Sequence, residues 1–142
     1  MIRANRGQLF LGMHATHMTE PAFEARLARA EYLDDVDIDA VGVSEARDGS
    51  GRQLILERAR SLSPQDRAHG HGGVCVKDAR GAVAYGAVTT YTMTDAELAL
   101  ELTAEAAQAL GLPPVARIGL ELSDGDLAEL RAGLLLVFGD AV

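Results

Sequence analysis

Residues 73–103, GVCVKDARGAVAYGAVTTYTMTDAELALELT, are the part of the sequence that decides the fold. Apolar and polar side chains alternate here with the two-residue period of a β-strand, most plainly over Leu98–Leu102. Turns are predicted near Gly81 and Asp95, where the alternation is interrupted. The stretch therefore predicts a three-stranded antiparallel meander, with a long middle strand over Ala82–Met93.

Further elements are predicted on both sides of this meander. The turn signal Asp48-Gly49-Ser50-Gly51 separates two strand-like runs, so these runs should form a hairpin. Pro21–Tyr32 fits either a strand or a helix by its spacing. In chain order, the other predicted elements are strands over 38–46 and 52–58, a helix over Ala104–Leu110 between Thr103 and Gly111, a strand over Val115–Leu122, and a helix from the cap Ser123 to Phe138.

These elements predict one α+β domain over residues 21–142, with a mainly antiparallel sheet of about six or seven strands and both helices on one face. Residues 1–20 show no convincing period, and we predict a loosely ordered N-terminal extension there. The place of strand 115–122 in the sheet stays open. The connection before it is only just long enough for a parallel crossover.

Composition limits the classes of function. The formal charge of the 142 residues is −8, which argues against binding nucleic acid and is compatible with a basic protein partner. Cys75 is the only cysteine, so no intrachain disulfide can form and a reducing compartment is indicated. The apolar run Leu9–Leu11 is too short to span a membrane. These features predict a cytoplasmic location.

Two clusters of polar residues are candidates for a functional site. A stretch of aspartates precedes the strand at Ile38, and His69-Gly70-His71 lies in the longest predicted loop, over Ala59–Gly72. Two imidazoles at this spacing can share a metal ion, but nothing in the spacing fixes further zinc ligands. The aspartates also lack the glycine and glutamate of a calcium-binding loop, so we predict a solvated acidic edge. Its members are Asp34, Asp35, Asp37 and Asp39.

The meander itself carries no evident chemistry. Cys75 alternates with valines in a strand, where a thiol is usually inert. Tyr85 and Tyr91 fall on one face of the predicted middle strand, so both are predicted to pack. The sequence contains no G-x-S-x-G motif for a serine nucleophile. We therefore predict no enzymatic activity, no cofactor and no bound metal.

The chain from Phe23 to Phe138 resembles the immunity protein 10 family of bacterial polymorphic-toxin systems. The matching segments are FEAR, VGVSEARDGSGRQLILERA, VCV, AYGAV, LALELTAEAAQALGLP and LAELRAGLLLVFG, in this order. The resemblance implies a cytoplasmic protein that binds one toxin domain and blocks it. It also implies that FEARLARAEY is a first strand, and it brings no catalytic residues.

The function predicted for this chain is thus non-enzymatic neutralisation of a cognate toxin domain. If the toxin is basic, the predicted contacts are Asp34, Asp35, Asp37 and Asp39, with His69 and His71 second. Two alternatives come from other classes of protein. One is a small metal-dependent enzyme that uses the His69/His71 loop, and the other is a homodimeric interaction module that uses an exposed sheet edge.

Overall fold

The computed structural model describes residues 21–61 and 73–139, which form nine strands and two helices. The predicted α+β class and the mainly antiparallel pairing are confirmed. The strands are β1 (Phe23–Ala25), β2 (Leu27–Leu33), β3 (Ile38–Ser44), β4 (Gln53–Ala59), β5 (Cys75–Asp78), β6 (Val83–Ala84), β7 (Val88–Met93), β8 (Glu97–Leu102) and β9 (Val115–Leu120). The helices are α1 (Ala104–Leu110) and α2 (Asp124–Phe138).

These strands form two sheets, whereas the sequence predicts one sheet of six or seven strands. The four-stranded sheet has the order β1-β9-β8-β7, and the five-stranded sheet has the order β2-β3-β4-β5-β6. All pairs are antiparallel except β1 with β9. Strand β9 lies between β1 and β8, which settles the position that the sequence left open.

Two runs that read as continuous strands are each divided between the sheets. The first strand predicted from FEARLARAEY breaks at Arg26, whose amide donates to the carbonyl of Ser44 at 2.9 Å. The predicted middle strand Ala82–Met93 breaks at Gly86, which has φ +57°. A positive φ disfavours an extended strand and suits glycine, so the chain can change sheets at this position. The meander is therefore two hairpins, one in each sheet.

The division at Gly86 also separates the two tyrosines that were predicted to pack. Tyr91 does pack, with its ring centroid 4.5 Å from that of Phe138. Tyr85 lies after the end of β6 and is 54% exposed, so the prediction of packing is wrong for this residue. The alternation continues through the sequence at this point, but the strand does not.

Side chains from both sheets and both helices meet in one hydrophobic core. Leu98, Leu100 and Leu102 all face it, as their spacing predicts. Leu54 and Leu56 on β4 also point inward, as predicted. The largest fully buried side chains are Leu56, Leu98, Leu100, Ile118, Leu130, Leu134, Val41, Val43, Val76 and Val137.

The ends of both helices agree with the sequence prediction. The hydroxyl of Thr103 caps α1 and that of Ser123 caps α2, each by accepting a backbone N–H three residues on. Gly111 ends α1 with φ +65°, and the Leu112 amide then donates to Ala107 at 2.9 Å, which is the pairing of a Schellman motif.

Helix α2 lies across β2, β3 and β4 of the five-stranded sheet. The closest approach is at Gly133, where an added Cβ would lie 2.8 Å from Val41 Cγ2 and 2.9 Å from Ala30 Cβ. At the end of the helix, an Arg58 guanidinium nitrogen lies 3.4 Å from the carbonyl oxygen of Val137. This cation is placed where it stabilises the negative end of the helix dipole.

Several predictions concern residues 1–20 and 62–72, which lie outside the described residues. They are the N-terminal extension, most of the loop over Ala59–Gly72, and the site at His69 and His71.

Candidate functional site

The predicted acidic stretch forms the connection between β2 and β3. Asp34 and Asp35 are exposed in this connection, and Val36 beside them is 53% exposed. Within the described chain, neither aspartate has a hydrogen-bond or ion-pair partner. We call Asp34, Asp35 and Val36 the acidic tip.

Asp37 anchors the acidic tip instead of extending it. The residue has φ +57° and closes the turn, and its carboxylate accepts the hydroxyl of Tyr32 at 2.6 Å and that of Ser61 at 3.1 Å. Its carbonyl also accepts the Arg60 amide at 2.9 Å. The Tyr32 hydroxyl, followed by that of Ser61, holds the pKa of Asp37 below its usual value. The side chain of Asp37 therefore stabilises this turn.

Asp39 is buried, so the predicted solvated acidic edge does not reach this residue. Its carboxylate receives two hydrogen bonds from the Arg60 guanidinium, at 2.8 and 2.9 Å. The same guanidinium lies over the ring of Tyr32, 4.0 Å from its centroid. The hydrogen bonds that Arg60 donates to Asp39 hold the pKa of Arg60 above its usual range. A buried carboxylate needs such a cation to offset its desolvation.

The four aspartates therefore divide into two pairs with different roles. Within the described residues Asp34 and Asp35 have no side-chain partner, whereas Asp37 and Asp39 form an internal network with Tyr32, Arg60 and Ser61. Alternation alone could have identified the inward aspartate, because Asp39 shares a face with Val41 and Val43. The sequence did not indicate that Arg60 is the partner of Asp39, because Arg60 lies twenty-one residues later in what reads as a loop.

No group of three or more His, Cys, Asp or Glu side chains is placed to hold a metal within residues 21–61 and 73–139. Cys75 is buried, and burial raises the pKa of its thiol, which disfavours the nucleophilic thiolate. The acidic tip, by contrast, combines two exposed carboxylates with the apolar side chain of Val36. This arrangement suits a partner that presents cationic side chains around a small apolar contact.

We expect the Tyr32→Phe substitution to raise the pKa of Asp37 towards its ordinary value of 3.8, because it removes the largest cause of the depression. A depressed carboxyl pKa stabilises the fold above the ordinary value, and this stabilisation is lost as the pH falls through the folded-state pKa. The variant should therefore lose less stability than the natural protein as the pH falls below about 4. Carbon-detected NMR titration of the Asp37 carboxyl measures the shift directly.

Asp48 provides an internal control for this titration. Its pKa is lowered by the hydroxyl and the amide of Ser50, and it lies in a different turn. The pKa of Asp48 should be the same in both proteins. An unchanged pKa of Asp37 in the variant would contradict the assigned hydrogen bond.

These residues describe an α+β protein with an exposed acidic tip on a hairpin turn that side-chain hydrogen bonds stabilise. The chain belongs to the immunity protein 10 family, because the model of that family matches residues 24–128. The matched region extends from β1 into the first turns of α2. This confirms the resemblance, and the family suggests a toxin-neutralising role and is generally non-enzymatic.

No curated protein and no solved structure matches this chain. Neither α1 nor α2 is long and apolar enough to cross a membrane, and this holds for the described residues.

Proposed function

We propose that this chain is a non-enzymatic immunity protein that binds one cognate toxin domain in the bacterial cytoplasm and blocks it. The observation that carries the proposal is the family match over residues 24–128. Blocking a toxin through a protein interface requires no cofactor, metal or nucleic acid.

Growth rescue tests this function directly. The probe is the toxin domain encoded immediately upstream of this gene, expressed from an inducible promoter in a bacterium that it kills. Co-expression of this chain should restore growth, and the two proteins should co-purify. Soluble expression of this chain without rescue would contradict the proposal.

The acidic tip is the proposed contact for a basic toxin. Asp34 and Asp35 are exposed and unpaired within the described chain, and the network at Tyr32 and Asp37 holds the turn that carries them. Exposed complementary charges mainly raise the association rate and select the partner. The negative charge of the whole chain favours the same encounter.

Reversing both charges of the tip, Asp34→Lys with Asp35→Lys, should slow association with the toxin about tenfold at low salt. Stability should change little, because neither carboxylate has a partner to lose within the described residues. Surface plasmon resonance at two salt concentrations measures the effect, and the difference should shrink as salt screens the charges.

A second double variant distinguishes the effect of the acidic tip on the association rate from the effect of the net charge. Glu105→Lys with Asp124→Lys reverses two other exposed carboxylates that have no ion-pair partner within the described residues, so both variants change the formal charge from −8 to −4. This control should slow association much less than the tip variant does. Equal slowing by both variants would remove the acidic tip as a specific contact.

A further inference from the structure

The open edges of the two sheets differ in how they are protected. An edge strand exposes a row of unpaired N–H and C=O groups, which can pair with another chain unless they are covered or kept short. β1 has only three residues and β6 only two. Each therefore presents few groups to a partner. The longer edges are β2, with seven residues, and β7, with six.

Strand β2 is covered by carboxylates from helix α2. Asp126 accepts the amide of Ala28 at 3.2 Å, and Glu129 accepts the amide of Ala30 at 2.7 Å. These two amides are among those that face outward and that a docking strand would need. The edge of β2 is thus already occupied by the protein's own side chains.

Strand β7 has no such cover among the described residues. The Thr94 amide donates to the carbonyl of Glu97, which sets the phase of pairing between β7 and β8. In an antiparallel pair the bonded positions alternate, so Thr92 bonds to β8 while Tyr91 and Met93 direct their N–H and C=O groups outward. Neither outward amide has a hydrogen-bond acceptor within the described residues.

A groove runs beside this open edge. It has a volume of about 350 Å³ and lies between β7 and α2. Its α2 side includes Leu134 at the core, Leu135, which is 63% exposed, and Arg131, which pairs with Asp95. The groove therefore combines outward-facing backbone groups with a partly apolar wall, which is the kind of surface that an added β-strand recognises.

We propose that an extended segment of the toxin domain docks on the edge of β7 and adds a fifth strand to the four-stranded sheet. Its backbone would pair with Tyr91 and Met93, and alternate side chains would enter the groove against Leu135. This inference rests on the proposed function, and it adds to the acidic tip a second contact surface for the same toxin domain.

Backbone pairing and net charge indicate which kind of partner would bind at the edge of β7. A helix cannot satisfy a row of strand amides and carbonyls, because its own backbone groups are already paired. A second copy of this chain has matching backbone groups, but two chains of charge −8 repel each other. A neutral or basic strand from another protein meets neither objection.

Hydrogen exchange of individual amides tests the proposal in the intact protein. The probe is a catalytically inactive form of the toxin domain encoded upstream. The Tyr91 and Met93 amides should exchange rapidly in the free protein and at least tenfold more slowly in the complex. The Thr92 amide serves as the control, because it already bonds to β8 and should change less.

Two adjacent leucines provide a matched pair of variants. Leu135 lines the groove, whereas Leu136 lies outside it and is almost equally exposed, at 63% and 58% respectively. Leu135→Asn should weaken binding of the inactive toxin domain at least fivefold, and Leu136→Asn should change it less than twofold. Calorimetric titration measures both.

The outcomes separate this inference from the proposed function. A complex that leaves the Tyr91 and Met93 amides unprotected would overturn the docking site and leave neutralisation intact. Failure to form any complex would overturn both. A free protein that is dimeric, with these two amides already protected, would show that a second copy occupies the edge, and would also overturn the proposal.

Discussion

Replacing Gly133 with leucine is expected to reduce the free energy of unfolding by about 3 kcal/mol or more. Even a single Cβ at this position would lie 2.8 Å from Val41 Cγ2 and 2.9 Å from Ala30 Cβ. Val41 is fully buried and short, and both neighbours lie on strands, so neither can rotate away. The helix would have to move off the five-stranded sheet, which opens gaps along the contact.

Gly125 in the same helix is the matched control. A Cβ added there meets only the Ser123 hydroxyl, at 4.0 Å. Gly125→Ala should therefore be neutral or stabilising by up to about 1 kcal/mol, since alanine favours a helix more than glycine does. Gly133→Ala should remain destabilising, because the clash outweighs this gain. Urea unfolding followed by circular dichroism measures all three variants, and a Gly133→Leu protein as stable as the natural one would contradict the close contact.

Removing both carboxylates that cover β2, by Asp126→Ala with Glu129→Ala, is expected to destabilise the protein by about 2 kcal/mol. The amides of Ala28 and Ala30 would lose charged acceptors at 3.2 and 2.7 Å. The edge of β2 would then be open to strand pairing between molecules. Besides lower stability, the variant should therefore show concentration-dependent association by analytical ultracentrifugation.

An isosteric pair of substitutions distinguishes the effect of losing the hydrogen-bond acceptors from the effect of losing their negative charge. Asp126→Asn with Glu129→Gln keeps an oxygen near each strand amide while removing both negative charges. This variant should lose less stability than the alanine variant and should remain monomeric. If the alanine variant is itself monomeric and fully stable, then the carboxylates do not protect this edge.

Local features of this fold were predictable because neighbouring residues determine them. The caps at Thr103 and Ser123 and the hairpin turn over Asp48–Gly51 depend on contacts within a few positions. The inward face of β8 follows from its alternation.

The division into two sheets was not predictable in the same way. The alternating pattern shows that a segment is extended, but it does not show which sheet the segment joins. Buried positions change from odd to even between Ala25 and Ala28, where the chain leaves one sheet for the other. Gly86 gave a weak signal of the second change, since one glycine in a strand also fits a bulge or a close contact.

In the candidate site, too, some features follow from neighbouring residues and others depend on residues that are distant in the sequence. The sequence by itself determined that aspartates cluster before β3 and that the chain belongs with immunity proteins. Only the tertiary structure decided that Asp39 is paired with Arg60 while Asp34 and Asp35 stay exposed. The physical reason is that the charge state and exposure of a carboxylate depend on cations and burial contributed by distant segments. The edge position of β7 among the described strands is likewise a property of the assembled sheet, because it depends on which other strands pair with it.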